Sequence, residues 1–414
     1  MRLTFWNFIS LFSVFKSIIF PITRHQKKFF FDPPDNFLET IEISIDIWVG
    51  EPKQKVSLHL YTKDFSGIWL NRKFVPDGEA EHEKNYYYPN ISSTFQFCQM
   101  ETGFFLDQNF VTAKVGKESF LFEDIKSNQY SLNEQYFLLD KHNNRKYYYK
   151  KQIGGMIGLS LIPHHHFNKS MSILDALIEK SYITENIFSL DNSNLYLGEM
   201  PLNRKEYKTC KIINLPEKFY VCEMIWNNIF MSKTFDYITP YRVLFKIEYA
   251  FINAPQDFFG ILIGKYFHNL ITESKKCTVK QIFMLIRWIE CDTDINLDEL
   301  EDISFSFRND MNITLSAREL FIKNENNGNL IFGIVYQVKE ALLYDWIFGD
   351  IVLNKYSMFF DIEQKQIGIC PQNISSISMI HQSPLIKIIT LLNLTFLMFG
   401  TINNILSNTI INKY

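Results

Sequence analysis

Residues 41–50 read IEISIDIWVG, and Ile41, Ile43, Ile45, Ile47 and Val49 fall on alternate positions. A period of two is that of a half-buried strand. VSLHLY at 56–61 repeats the alternation, and the polar EPKQ between the two runs predicts a turn, so together they predict a β-hairpin. Aromatic-rich, strand-like segments continue to about residue 150. The period then changes. In SILDALIEKS (172–181), Ile173, Leu174, Leu177 and Ile178 share one helical face, with Ser172 at the N-cap and Asp175 three residues on. NIFSL and NLYLGE return to strand character.

A second helix is predicted over 255–271 (PQDFFGILIGKYFHNLI), with Pro255 in the first turn and Asp257 at the positive end of the dipole. DISFSF (302–307), NITLS (312–316) and NLIFGIVYQV (329–338) predict strands, and WIFGDIVLNKYSMFFDIEQKQIGIC (346–370) closes the pattern. The chain is mostly β with a few helices. Two successive halves repeat one order: strands, a charged turn, a strand ending apolar-apolar-Gly, then a helix or strand. This predicts two related lobes, 37–205 and 206–372, followed by a tail, 373–414.

The 414-residue length suits two lobes of ordinary size, and 47% hydrophobic with 21% charged residues predicts a folded globular protein. The formal net charge of −3, without a long basic block, argues against nucleic acid as a partner. KYYYKK (146–151) reads as a strand edge guarded by lysines. None of the six cysteines (Cys98, Cys210, Cys222, Cys277, Cys291, Cys370) forms a Cys-x-x-Cys pair, so zinc and thioredoxin-type sites are not expected. The run His164-His165-His166 reads as a solvated loop, because adjacent residues rarely converge on a metal. No metal and no cofactor is predicted.

Arg2 followed by the apolar run Leu3–Val14 predicts a secretory leader over 1–23, with an N-terminal membrane anchor as the alternative. In a secreted chain an even number of cysteines predicts disulfides. Cys210 with Cys222, and Cys277 with Cys291, are close enough in sequence to close hairpin-like loops, although spacing leaves connectivity open. Asn90, Asn168, Asn312, Asn373 and Asn393 stand in Asn-x-Ser/Thr sequons and are candidate glycan sites. Residues 385–406 are mostly apolar but carry Lys387, Asn393, Asn403 and Asn404, which fits a weak transmembrane helix, a lipid-anchor signal or a surface-lying tail. The expectation is a monomer, extracellular or attached to the cell surface through this tail.

Five segments, in order, resemble the pepsin-like aspartic peptidases over roughly residues 37–372. IEISIDIWVGEPKQKVSLHL is similar to the family's opening hairpin. YYPNISSTF (87–95) resembles its Pro-x-x-Ser-Ser-Thr-Phe stretch, and GGMIGLSL (154–161) its Asp-Gly-Ile-Leu-Gly-Leu segment. SILDALIEKSYITENIFSLDNSNLYLGEM resembles its helix, Phe-Ser strand and Leu-x-x-Gly-Gly turn. WIFGDIVLNKYSMFFDIEQKQIGIC resembles its closing Trp-Ile-Leu-Gly-Asp run. The resemblance implies a bilobal β fold with a long cleft, in which each lobe gives an Asp-Thr-Gly loop to the cleft floor. An apolar-apolar-Gly strand threads behind each loop, and Met156-Ile157-Gly158 and Ile347-Phe348-Gly349 fit those strands.

The family's chemistry needs two carboxylates sharing a proton, one to activate water and one to polarise the carbonyl. Counting back without a gap from Trp69 puts Thr62-Lys63-Asp64 at the first Asp-Thr-Gly triplet. Counting back from Pro255 in FINAP puts Lys246-Ile247-Glu248 at the second. Neither first position holds Asp, and Asp64 and Glu248 replace the two glycines. The flap region aligns with CQMETGFF (98–105), where Met100 or Gln99 stands in place of the family's Tyr and Thr102-Gly103 remains. These residues predict an inactive homologue that binds a peptide or protein in the interlobe cleft. The competing expectation is a divergent active endopeptidase that works through Asp64 and Glu248. A structural or antigenic surface role is a third.

Overall fold

The computed structural model describes residues 17–25, 42–62, 66–71, 86–106, 109–140, 154–160, 172–199, 210–215, 221–225, 241–247, 249–282, 286–307, 311–324, 327–338 and 345–371. Among them the fold is mainly β and bilobal, with few and short helices. An eight-stranded sheet is built from the first half of the chain and an eleven-stranded sheet from the second. A six-stranded sheet joins them: Ile18–Pro21, Asn194–Leu197 and Ile187–Leu190 from the first half lie beside Tyr356–Asp361, Gln366–Pro371 and Lys211–Asn214 from the second. The seam is the antiparallel pair Phe188↔Phe360, whose rings stack at 4.6 Å.

The opening hairpin forms as its alternation requires, Glu42–Val49 against Gln54–Tyr61, with Ile43, Ile45, Ile47 and Val49 buried on the core face. Ile173–Glu179 is helical, and the Ser172 hydroxyl accepts from the Asp175 amide at its start.

Three expectations are corrected by the structure. The long helix over 255–271 is broken: Gln256–Ile261 is α-helical, and wider π-type turns follow at Leu262–Tyr266 and Asn269–Glu273. Gly260 and Gly264 sit inside this stretch, and glycine weakens a regular helix. Pro255 is the N-cap, in extended conformation at ψ 158, rather than a first-turn residue. The strand expected over 329–338 is two strands, Leu330–Phe332 and Ile334–Gln337. They divide at Gly333, where an added Cβ would lie 2.8 Å from the Leu320 carbonyl oxygen.

The pairing of Cys210 with Cys222 is also corrected. Cys210 is bonded to Cys370, and the second disulfide joins Cys277 to Cys291. The cause of the first is register: Lys211–Asn214 pairs antiparallel with Gln366–Ile369, Lys211 opposite Ile369, which carries Cys210 to Cys370. Cys277 and Cys291 are themselves opposite residues of a hairpin. The side chain of Cys222 is outside the described residues, and Cys98 is a free, half-buried thiol.

Of the interval 1–23, residues 17–23 are described, and Ile18–Pro21 is a strand. Ile18 and Phe20 are fully buried, and Ile18–Pro21 pairs with Asn194–Leu197. Thr23–His25 then pairs with Glu42–Ser44. Burial of side chains of this size stabilises by about 1.5–3 kcal/mol each, so a cut at residue 23 would remove a core strand. The tail 373–414, the His164–His166 run, KYYYKK at 146–151, and Asn168, Asn373 and Asn393 lie outside the described residues. Among the described residues no helix is long and apolar enough to cross a membrane.

Candidate functional site

Each lobe centres on a loop held open by a threaded strand. In the first lobe Gly155–Leu159 runs parallel to Gln54–Tyr61 and antiparallel to Ser66–Leu70, lying between the two strands that flank residues 62–65. In the second, Trp346–Phe348 runs parallel to Tyr241–Phe245 and antiparallel to Ile252–Asn253, lying between the flanks of residues 246–251. The two arrangements match in register. Ile68 stands opposite Ile157, just before Gly158, and Ile252 stands opposite Phe348, just before Gly349. Thr62 precedes Ile68 by 68 − 62 = 6 positions, and Lys246 precedes Ile252 by 252 − 246 = 6.

The glycines behind the loops answer to steric need. A Cβ on Gly349 would sit 1.9 Å from the Tyr249 carbonyl oxygen and 2.5 Å from that of Phe251, so only glycine lets the second loop pass. The Asp350 amide donates to the same Tyr249 carbonyl at 2.5 Å. In the first lobe a Cβ on Gly155 would meet the Trp69 carbonyl oxygen at 2.1 Å, and Gly158 lies opposite Gly67.

Each loop backs onto its own apolar cluster, separate from the main core. Tyr61, Trp69, Val115 and Met156 pack behind the first, joined by half-buried Cys98. Tyr249, Phe251, Trp288 and Ile347 pack behind the second. Burial holds the Cys98 thiol above its usual range, with Lys117 pulling against it.

Thr62 is fully buried and Lys246 is 4% exposed. The Lys246 amide donates to the Phe348 carbonyl at 2.9 Å, its own carbonyl accepts from the Tyr249 amide at 3.0 Å, and its Nζ lies 6.0 Å from the Tyr249 ring centre. Asp64 and Glu248 are outside the described residues. Beside the second loop the Tyr249 hydroxyl donates to Gln337 Oε1 at 3.1 Å, and the Gln337 amide donates to Asn253 Oδ1 at 2.7 Å. Among the described residues no cluster of metal-ligating side chains occurs.

The flap region is a long hairpin, Gln96–Leu106 against Asn109–Glu123. A bulge between Phe97 and Glu101 holds Gln99 at φ +51, and Thr102 and Gly103 pair with Ala113 and Thr112 beyond it. Gln96–Leu106 is the last strand of its sheet. Phe97 and Met100, at 49% and 44% exposed, stand out on it, with Lys114 Nζ 5.5 Å from the Phe97 ring centre. Of the candidate glycan sites, Asn90 and Asn312 are both exposed.

Two polar sites carry no local signal in the sequence. Glu118 is fully buried on the first-lobe sheet and accepts from the hydroxyls of Tyr87, Ser92 and Thr94 and from the Ser119 amide. Burial, and then the Glu118 carboxylate, push the Tyr87 phenol well above its ordinary range. This is the structural use of the YYPNISSTF stretch. The second site joins the ends of the chain. Arg24 Nη1 donates to both carboxylate oxygens of Asp350, which is fully buried, and Arg24 Nε donates to the Asn192 carbonyl at 3.2 Å. Burial pushes the Asp350 carboxyl up, and the Arg24 guanidinium opposes it.

Two lobes, each with a strand threaded between the flanks of a floor loop, and a long hairpin on the first lobe define a pepsin-like architecture. The sequence profile of the eukaryotic aspartyl protease family matches residues 42–202 and 264–372, more than half of the chain. The chain belongs to that family. The unmatched interval contains the second loop with Lys246. No curated protein matches the chain.

Proposed function

We propose that this chain is a secreted, catalytically silent member of the family that holds an extended peptide segment in its interlobe cleft. The observation that carries the reading is the identity of the two residues six positions before Ile68 and Ile252, the residues opposite Ile157 and Phe348: a buried threonine, Thr62, and a buried lysine, Lys246. Hydrolysis in this family requires a carboxylate dyad with one shared proton. A hydroxyl cannot serve as the ionised base at working pH, and an ammonium has no lone pair with which to accept a proton.

Support for binding comes from the flap. An edge strand offers backbone donors and acceptors to an incoming extended segment, and Phe97 and Met100 add exposed apolar surface on that strand. Support for secretion comes from the two disulfides, which persist in oxidising compartments, and from the apolar N-terminal run.

The test uses purified full-length protein and unfolded protein substrate across acidic pH, with and without a statine-type inhibitor. The expected result is no inhibitor-sensitive cleavage, together with retention of extended peptides that weakens in Met100→Asp. Inhibitor-sensitive cleavage abolished by Asp64→Ala would overturn the reading in favour of a divergent endopeptidase.

A further inference from the structure

Among the described residues Met311–Leu315 is the terminal strand of the eleven-stranded sheet and pairs only with Ile303–Phe307. Such an edge exposes a row of backbone donors and acceptors on which another chain can add a strand. Antiparallel partners alternate between pairs that exchange hydrogen bonds and pairs whose backbone groups point outward. Thr314 belongs to the second kind. Its amide donates to the Tyr356 hydroxyl at 3.2 Å, and that hydroxyl donates to the Thr314 carbonyl at 3.1 Å. Its side chain meets that of the opposite Ser304 at 2.8 Å, the close approach typical of a pair without backbone bonds.

Two residues along in either direction the backbone points the same way. At Ser316 the amide is taken by Glu319 Oε2 at 2.7 Å, in a capping box that Lys355 braces. At Asn312, opposite Ser306, no described residue supplies a partner to that edge. Among the described residues the edge is therefore stoppered at two of three outward rungs. The open rung belongs to Asn312, whose side chain lies on the solvent face while Ile313 and Leu315 are fully buried. Asn312-Ile313-Thr314 is an N-glycosylation sequon.

We propose that an N-linked glycan on Asn312 is the third stopper, covering the open rung and keeping a second copy of the chain from pairing along this edge. The step forms a glycosidic bond between Asn312 Nδ2, which loses a proton, and C1 of the first sugar of a lipid-diphosphate-linked oligosaccharide, and it breaks the bond from that carbon to the diphosphate, which leaves with its lipid. The inference rests on the secretory reading above and not on peptide binding.

The experiment expresses the full chain behind a heterologous secretion signal in a glycosylating eukaryotic host, so that its outcome is independent of the native leader and of any proteolysis assay. Peptide mapping before and after peptide-N-glycosidase treatment reads occupancy at Asn312. Light scattering across a concentration series reads self-association. Occupied Asn312 is expected, with a monomeric wild type. Asn312→Gln should self-associate about tenfold more tightly, the size of one or two net backbone hydrogen bonds. Asn312→Lys should stay monomeric without sugar, because an edge lysine also blocks strand addition. If Asn312→Gln fails to fold, Thr314→Ala, which removes the sequon and leaves Asn312 in place, supplies the same reading. An unoccupied Asn312, or a sugar-free protein that associates no more than the glycosylated one, overturns the proposal.

Discussion

Replacing Arg24 with methionine should destabilise the protein by far more than loss of a surface contact would. Asp350 is fully buried, and Arg24 is the cation that faces both of its oxygens. Exposed ion pairs contribute about 0–1 kcal/mol, because water solvates each partner once the other is gone. Here water cannot replace the guanidinium. Breaking a buried pair by removing one partner costs about 3–5 kcal/mol, since the remaining charge is left in a medium of low dielectric. At about 2 °C per kcal/mol for a chain of this size, the melting temperature of Arg24→Met should fall by roughly 6–10 °C. The effect carries a pH signature. Without Arg24 the Asp350 carboxyl is raised further above its unfolded value. A carboxyl raised in the folded state contributes stability that is present below its unfolded pKa and lost as pH rises through the folded one. The deficit should therefore be smallest at about pH 3 and largest at neutral pH. The double variant Arg24→Met/Asp350→Leu should regain most of the loss, because no charge remains buried. Urea titrations of the wild type, Arg24→Met and the double variant at acidic and neutral pH decide the matter. A loss under about 1 kcal/mol, or one independent of pH, would refute the reasoning.

The disulfides should rank by loop length. Cys210–Cys370 spans 160 residues and Cys277–Cys291 spans 14, so chain entropy assigns about 5 and about 3 kcal/mol, and Cys370→Ala should melt below Cys277→Ala. Glu118→Ala strands the hydroxyls of Tyr87, Ser92 and Thr94 in the first-lobe core, and should cost about 3 kcal/mol or more in denaturant titrations. Gly349→Ala drives a Cβ into the Tyr249 carbonyl and should cost more than about 3 kcal/mol, while Gly328→Ala serves as a control whose added Cβ meets nothing but whose backbone is strained at φ +80. Thr62→Asp/Lys246→Asp places two carboxyls at buried positions. It should be less stable at neutral pH than in acid and should still fail to cleave unfolded protein, because Asp64 and Glu248 remain where the family's loops have glycine.

What the sequence made legible was local. The opening hairpin and the Ser172-capped helix follow from spacing over a few residues, and both form where spacing puts them. What escaped is non-local or balanced between two physical outcomes. Ser17–Thr23 is apolar enough for a leader and apolar enough for a buried strand. Pairing with Asn194–Leu197, far along the chain, makes Ile18–Pro21 a strand. The run 255–271 has helical periodicity, yet Gly260 and Gly264 let its turns widen. Cys210 has a near neighbour in Cys222, but sheet register brings it to Cys370. Nothing near Arg24 points to Asp350, which is 326 residues away. At the candidate site, counting from Trp69 and Pro255 singled out Thr62 and Lys246, whereas the Tyr249–Gln337–Asn253 chain of hydrogen bonds joins segments that no motif connects.

The frame of the floor loops and their chemistry make different physical demands, which is why one can persist without the other. The frame is steric. It asks for glycine where the second loop passes within 1.9 Å of a would-be Cβ, for apolar residues in the threaded strands, and for Trp69 and Trp288 in the clusters behind. None of this requires a carboxylate. Two carboxylates on a buried floor are instead a burden to folding, since desolvation and mutual repulsion both oppose their ionised forms. A hydroxyl at Thr62 removes that burden, and the Lys246 backbone still closes the loop through Phe348 and Tyr249. The family profile fits the first loop and the closing frame strands but leaves out the interval that holds Lys246. A chain selected for hydrolysis would be held most tightly at its two floor loops. Here the interval that holds the second loop lies outside the family match, while the strands around both loops pair in the same register.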